Sequence, residues 1–176
     1  MADDTTSPQP DEAELDALRA RWFGASAPLT DVDHVVDLAA RRLALMPLVA
    51  RAKRARGQPI EDAEREQRVL ADVTGRAAAA GLDASGVREL FTVQIELARR
   101  VQERTPDGPA HADLERELRP ALSALGAALI DALARAAPLA SDSLADRPLA
   151  PLTSLLEPAE LARLCGALLA VRRTRV

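Results

Sequence analysis

Apolar positions recur at helical spacing through most of the chain. In the stretch VVDLAARRLALMPLVARAKRARG, Val35, Leu38, Leu45, Met46 and Val49 lie three, four and seven residues from Arg42, which is one stripe of a 3.6-residue helix. Thr30 or Asp31 supplies an N-cap and Gly57 a stop. Pro47 removes one backbone donor inside this helix, yet the stripe resumes in register beyond it, so the pattern predicts a bend there and no terminus. A second helix is expected from about Pro59 to Ala80, closed by Gly81, and a third from about Asp83 to Arg104, with Leu90, Phe91, Ile95, Ala98 and Gln102 on one face. Residues 105–112 (TPDGPAHA) form a turn-rich connector. Asp113 then caps a fourth helix to about Ala136 whose stripe is Leu118, Leu122, Leu125 and Leu129. Residues 137–151, with Pro138, Pro148 and Pro151, are expected to be loop or short turns. A last helix runs from Pro158 to about Arg172 and turns Leu161, Leu164, Cys165, Leu168 and Leu169 inward.

Composition sharpens this picture. With no Tyr, one Trp, two Phe and abundant Ala, Leu, Arg and Glu, strand formers are scarce, and the expected fold is all-α: a single-domain bundle of about five to six helices with a long first helix bent near Pro47. Residues 1–28 are set apart as a flexible leader (MADDTTSPQP) and a short helix that docks Trp22 with Leu15, Leu18 and Phe23. The domain is expected over 29–176, with a first part at 29–104 and a helical second half at 112–176. A net charge of −4 argues against nucleic acid, which needs a dense positive field. No apolar run reaches the roughly 18 residues of a membrane helix, and no signal-type segment follows Met1. Cys165 is alone and is read as a small buried hydrophobe; His34 and His111 lack companions at metal-ligand spacing.

Charge on core-facing lines is the feature a packed bundle does not call for. Arg42 sits at the centre of its apolar stripe. Lys53, eleven residues on, returns to within about 20° of the same face, about 16 Å along the axis, so the two cations can lean over one small anion. Asp62, Arg65 and Glu66 occupy the face that continues as Val69 and Val73. Gln102 stands eleven residues past Phe91 and points inward too, where an amide needs partners. These six positions hold three cations and no evident nucleophile, and the chain shows no triad, phosphate loop or cofactor fingerprint. The arrangement suits a dianionic substrate whose reaction needs orientation and charge stabilisation without a covalent step. A buried ion-pair network is the alternative, disfavoured because unpaired buried cations are costly. From spacing alone, Arg119 is a solvated residue beside the fourth stripe.

The spacing of Arg42, Lys53, Asp62, Arg65, Glu66 and Gln102, with the strings AARRL, AKRARGQPIEDAERE and FTVQIELARRVQ, resembles the all-helical (AroQ-type) chorismate mutases over residues 31–104. The connection DLERELRPALSAL and the long helical second half further resemble the subclass usually exported to the periplasm or outside the cell. In that subclass the second half supplies an arginine that a partner subunit provides in shorter relatives, and Arg119 matches it. The resemblance implies a cofactor-free and metal-free Claisen rearrangement of chorismate to prephenate, in the pathway to aromatic amino acids, by an isomerase that is expected to be a homodimer. It also implies roles. Arg42, Arg65 and Arg119 would grip the two carboxylates, Lys53 and Gln102 would donate to the ether oxygen, and Glu66, with the backbone near Asp62, would accept from the ring hydroxyl. Ala98 stands where relatives often carry a small polar residue, so one substrate contact is missing or replaced. A non-catalytic helical module that binds small anions or dimerises would be the other reading; it would need the arginines but not both ether donors.

Overall fold

In the computed structural model, which describes residues 30–141, 144 and 150–174, Thr30 opens the first helix with a reciprocal cap. Its hydroxyl accepts from the Asp33 N–H at 3.3 Å while the Asp33 carboxylate accepts from the Thr30 N–H at 2.9 Å, satisfying donors that the first helical turn leaves free. Helix α1 (Asp31–Ala44) passes through Leu45 into α2 (Met46–Ala55). Leu45 keeps helical dihedrals (φ −77°, ψ −14°), donates to the Arg41 carbonyl at 3.3 Å and accepts from Val49 at 3.0 Å. The chain therefore bends ahead of Pro47, which has no N–H to offer, and continues as helix. The leader and the docking helix expected within residues 1–28 lie outside the described residues.

Helix α3 (Ala63–Ala79) begins four residues later than Pro59, where the sequence pattern would start it. The reason is local. Asp62 is the true cap, its carboxylate accepting from the Arg65 N–H at 3.1 Å, and the carbonyl of Ile60 turns aside to accept from Lys53 Nζ at 2.5 Å. Gly57 and Gly81 take φ of 63° and 72° at the ends of α2 and α3, a left-handed geometry that glycine adopts without strain. Asp83 caps α4 (Ala84–Arg104) through the N–H groups of Ser85 and Gly86. Beyond the connector, Asp113 caps a π-helical turn (Leu114–Leu118) that runs straight into α5 (Arg119–Ala136). A short α6 (Ala150–Thr153) and then α7 (Pro158–Ala170) complete the described elements.

The fold is all-α, as the pattern predicts. Among the described residues there is no strand, only an isolated bridge between Leu82 and Arg173, and no helix is long and apolar enough to cross a membrane. α5 packs along α1, α3 along α4, and α7 covers the far side of α4. Phe91, Leu90 and Leu97 on α4 are fully buried against Leu43 of α1 and Leu129, Ile130 and Leu133 of α5 in one core. The α5 stripe differs from the expected one: Leu118 and Leu129 are buried, but Leu122 and Leu125 are only half-buried, because this part of α5 borders a cleft. On α7, Leu164 and Leu168 are buried whereas Leu161, Cys165 and Leu169 are partly so. The last helix also buries Glu160, which no apolar pattern announces.

Candidate active site

The bend at Leu45, the cap at Asp62 and the start of α5 converge on a cleft of about 660 Å³. All seven charged or amide residues singled out from the sequence line it: Arg42, Lys53, Asp62, Arg65, Glu66, Gln102 and Arg119. Ala98 adds a methyl group to the wall.

Arg42 is held from three sides. Its Nε–H donates to Gln94 Oε1 at 2.8 Å, Nη1 donates to the Leu122 carbonyl at 2.6 Å, and the guanidinium carbon lies 4.9 Å from the centre of the Phe91 ring, within cation–π range. None of these partners carries charge. Burial, and then repulsion from Arg65, pull its pKa down from 12.5 to about 10, so it stays cationic at neutral pH. Lys53 is buried at 7% exposure, and one of its three donors serves the Ile60 carbonyl. Burial lowers its pKa first of all; Asp62 pulls the other way, and Arg119 adds to the lowering. Arg65 has its pKa lowered by burial and then by Arg119, and its guanidinium meets no carboxylate within ion-pair distance among the described residues.

The acids of the cleft are engaged elsewhere. Asp62 caps α3 and accepts from Arg119 Nη2 at 3.4 Å. Arg119 also pairs with Glu115, one helical turn before it, while its Nε is buried without a partner. Glu66 accepts a fork from Arg99, the Nε arm at 2.9 Å. The carboxylates thus balance Arg119 and Arg99. They leave Arg42, Lys53 and Arg65 without an ion-pair partner among the described residues, although the three face one space. Gln102 is 4% exposed; its Nε2 donates to the Ala98 carbonyl at 3.2 Å and meets Met46 Sδ at 3.5 Å, while Oε1 has no partner. Because thioether sulfur is a weak acceptor, the second amide hydrogen is free to turn to a better one. Among the described residues no group of three His, Cys, Asp or Glu could hold a metal ion.

Three participants escape the sequence reading. Gln94 shares the inward face of α4 between Phe91 and Ile95, where its inward amide is the available signal. Arg99 and Glu115 are ordinary surface charges by spacing, and only the tertiary fold shows which residues they hold.

An all-helical bundle whose cleft gathers three cations without an ion-pair partner among the described residues, beside the amide of Gln102, has the chemistry to hold a small polyanion. The type II chorismate mutase family model matches residues 32–103. Among solved structures, the chain is similar to the chorismate mutase from Burkholderia thailandensis (35% identity, TM-score 0.61, over 80% of this chain and 98% of that one). It is similar also to that from Burkholderia phymatum (31%, TM-score 0.56, over 78% and 90%). The secreted chorismate mutase from Yersinia pestis, at 20% identity with a TM-score of 0.69 over 80% and 98%, shares the fold. A secreted chorismate mutase from Mycolicibacterium smegmatis is 32% identical over 113 residues, 60% of this chain and 62% of that protein, so the match spans less than two thirds of that relative. The chain belongs to the chorismate mutase family.

Proposed function

We propose that the chain is an isomerase that converts chorismate to prephenate. In this rearrangement the ether C–O bond breaks as a new C–C bond forms within one molecule, so no external nucleophile, proton or electron is required. The observation that carries the reading is the set of three cations, Arg42, Lys53 and Arg65, that share one cleft without carboxylate partners among the described residues: a site shaped for a dianion that supplies the missing charge. Arg42, Arg65 and Arg119 hold the two carboxylates in the folded, diaxial conformer, which removes much of the entropic part of the barrier. Lys53 and Gln102 donate to the ether oxygen, where negative charge grows in the transition state and preorganised donors count most. Glu66, fixed by Arg99, accepts from the ring hydroxyl beside the backbone near Asp62.

The decisive experiment follows loss of chorismate and formation of prephenate with purified protein. Conversion well above the spontaneous rate is expected, and conversion at the spontaneous rate would overturn the assignment. We further propose export from the cytoplasm, supported by the secreted relatives and testable by fractionating the producing cells, and a homodimer, testable by sedimentation. Recovery only in the cytoplasm, or a monomer at micromolar concentration, would overturn these.

A further inference from the structure

Gln94 lies on α4 one turn before Ala98 and two turns before Gln102, at 2% exposure. It is not part of the cleft wall. It sits behind Arg42, and the Nε–H of Arg42 donates to its Oε1 at 2.8 Å. The other half of the amide, Nε2, is buried with no partner. An orphaned buried amide donor is destabilising, and a leucine or methionine at this position would fill the same space without that cost. The amide therefore earns its place through Arg42 alone. A glutamate would hold the same N–H more strongly, but it would neutralise the guanidinium.

The rest of the seat has the same character. The Leu122 carbonyl takes Nη1, the Phe91 ring lies against the guanidinium, and Gly126 leaves clearance where an added Cβ would come within 3.0 Å of Nη1. Every partner fixes direction and none brings a negative charge. Nη2 is left as the guanidinium nitrogen with no protein partner among the described residues, on a side chain that lines the cleft.

We propose that Gln94 is a positioning residue for the reaction: it aims the Arg42 guanidinium by one hydrogen bond while leaving its charge uncompensated for a substrate carboxylate. This rests on the proposed mutase activity. The test compares Gln94→Glu and Gln94→Met with the wild type by steady-state kinetics on chorismate and by thermal unfolding. Gln94→Glu keeps the acceptor and adds the charge, so it should unfold within a few degrees of the wild type while KM rises about tenfold or more, the worth of one charge-assisted hydrogen bond, and kcat changes less. Gln94→Met keeps the volume and frees Arg42, so KM should rise and kcat fall together. A purely structural amide would leave KM unmoved in every folded variant. Wild-type KM in folded Gln94→Glu overturns the proposal; if that variant does not fold, wild-type KM in folded Gln94→Met does so. Absence of wild-type turnover defeats the proposed function and this inference with it, whereas turnover with unmoved KM defeats the inference alone.

Discussion

Two charged clusters flank helix α4 and obey opposite rules. On the side of α7, Glu160 is 5% exposed and accepts from Arg104 at 3.0 and 2.8 Å, from Arg100 at 3.4 Å and from the Glu157 N–H at 3.0 Å. Charge there is closed upon itself: the Arg104 hydrogen bonds hold the Glu160 carboxyl down at about 2, and Glu160 in turn raises the pKa of Arg104. On the cleft side, Arg42, Lys53 and Arg65 all have lowered pKa values, each chiefly through burial. Cationic groups are thus pushed in opposite directions within one small bundle. A satisfied cluster contributes to folding, whereas an unsatisfied one costs folding energy and gains it back only when a ligand of opposite charge arrives.

The sharpest way to break this contrast is Lys53→Ala. Catalytic efficiency should fall by at least about 10²-fold, the usual loss for one preorganised donor, while the melting temperature stays level or rises because a buried unpaired cation has gone. Near-wild-type turnover by the folded variant would remove Lys53 from the site. Arg119 tests whether the cleft is complete within one chain. Arg119→Ala and Arg42→Ala should each be nearly inactive, and mixing them under conditions of subunit exchange should restore nothing; recovered activity in mixed dimers would mean that chains share sites.

The closed cluster should answer in the other currency. Glu160→Gln is expected to lower stability by about 2 kcal/mol, less than the 3–5 kcal/mol typical of a broken buried pair because Arg104 is partly solvated, with kcat close to wild type. Chemical denaturation at neutral pH checks the first part and the mutase assay the second. The smallest effect is in the pH dependence. Since the folded pKa of Glu160 lies near 2 against an ordinary 4.5, its contribution is fully present above about pH 5 and is lost as pH falls from 4.5 toward 2. Wild type and Glu160→Gln should therefore converge in stability at acid pH, and a constant difference down to pH 2 would show that the carboxylate is not held as described.

Much of this was legible in the chain because helical periodicity is local. The spacing of Arg42 to Lys53 and of Asp62 to Glu66 needs only 3.6 residues per turn to predict a common face, and the structure brings these residues and Gln102 to one cleft. Arg119 came from family resemblance, since spacing alone left it solvated. Where a boundary depends on a tertiary contact, the pattern failed: Pro59 looked like a helix start, but Ile60 is drawn to Lys53. Gln94, Arg99 and Glu160 were missed for a related reason. Each is defined by a partner 33 to 60 residues away, and no periodicity encodes such a partner.

The π-helical turn ahead of α5 carries a consequence for chain length. Its widened loop, closed by the Leu118 N–H on the Asp113 carbonyl at 3.0 Å, accommodates one residue more than an α-helical turn would, next to a proline that has no donor to give. Removing a single residue between Leu114 and Leu118 would let an ordinary turn close and leave everything beyond it in register with the Asp113 cap, because the five residues of a widened turn sweep about the same angle as four of an α-helical one. Inserting a residue there, with no second widened turn to take it up, would instead advance everything beyond it by about 100°. Arg119 would swing off the cleft while helix content barely changed. The insertion should be nearly silent by circular dichroism and severe in the mutase assay, whereas the deletion should keep most of its activity; a fully active insertion variant would show that the register of this segment is idle.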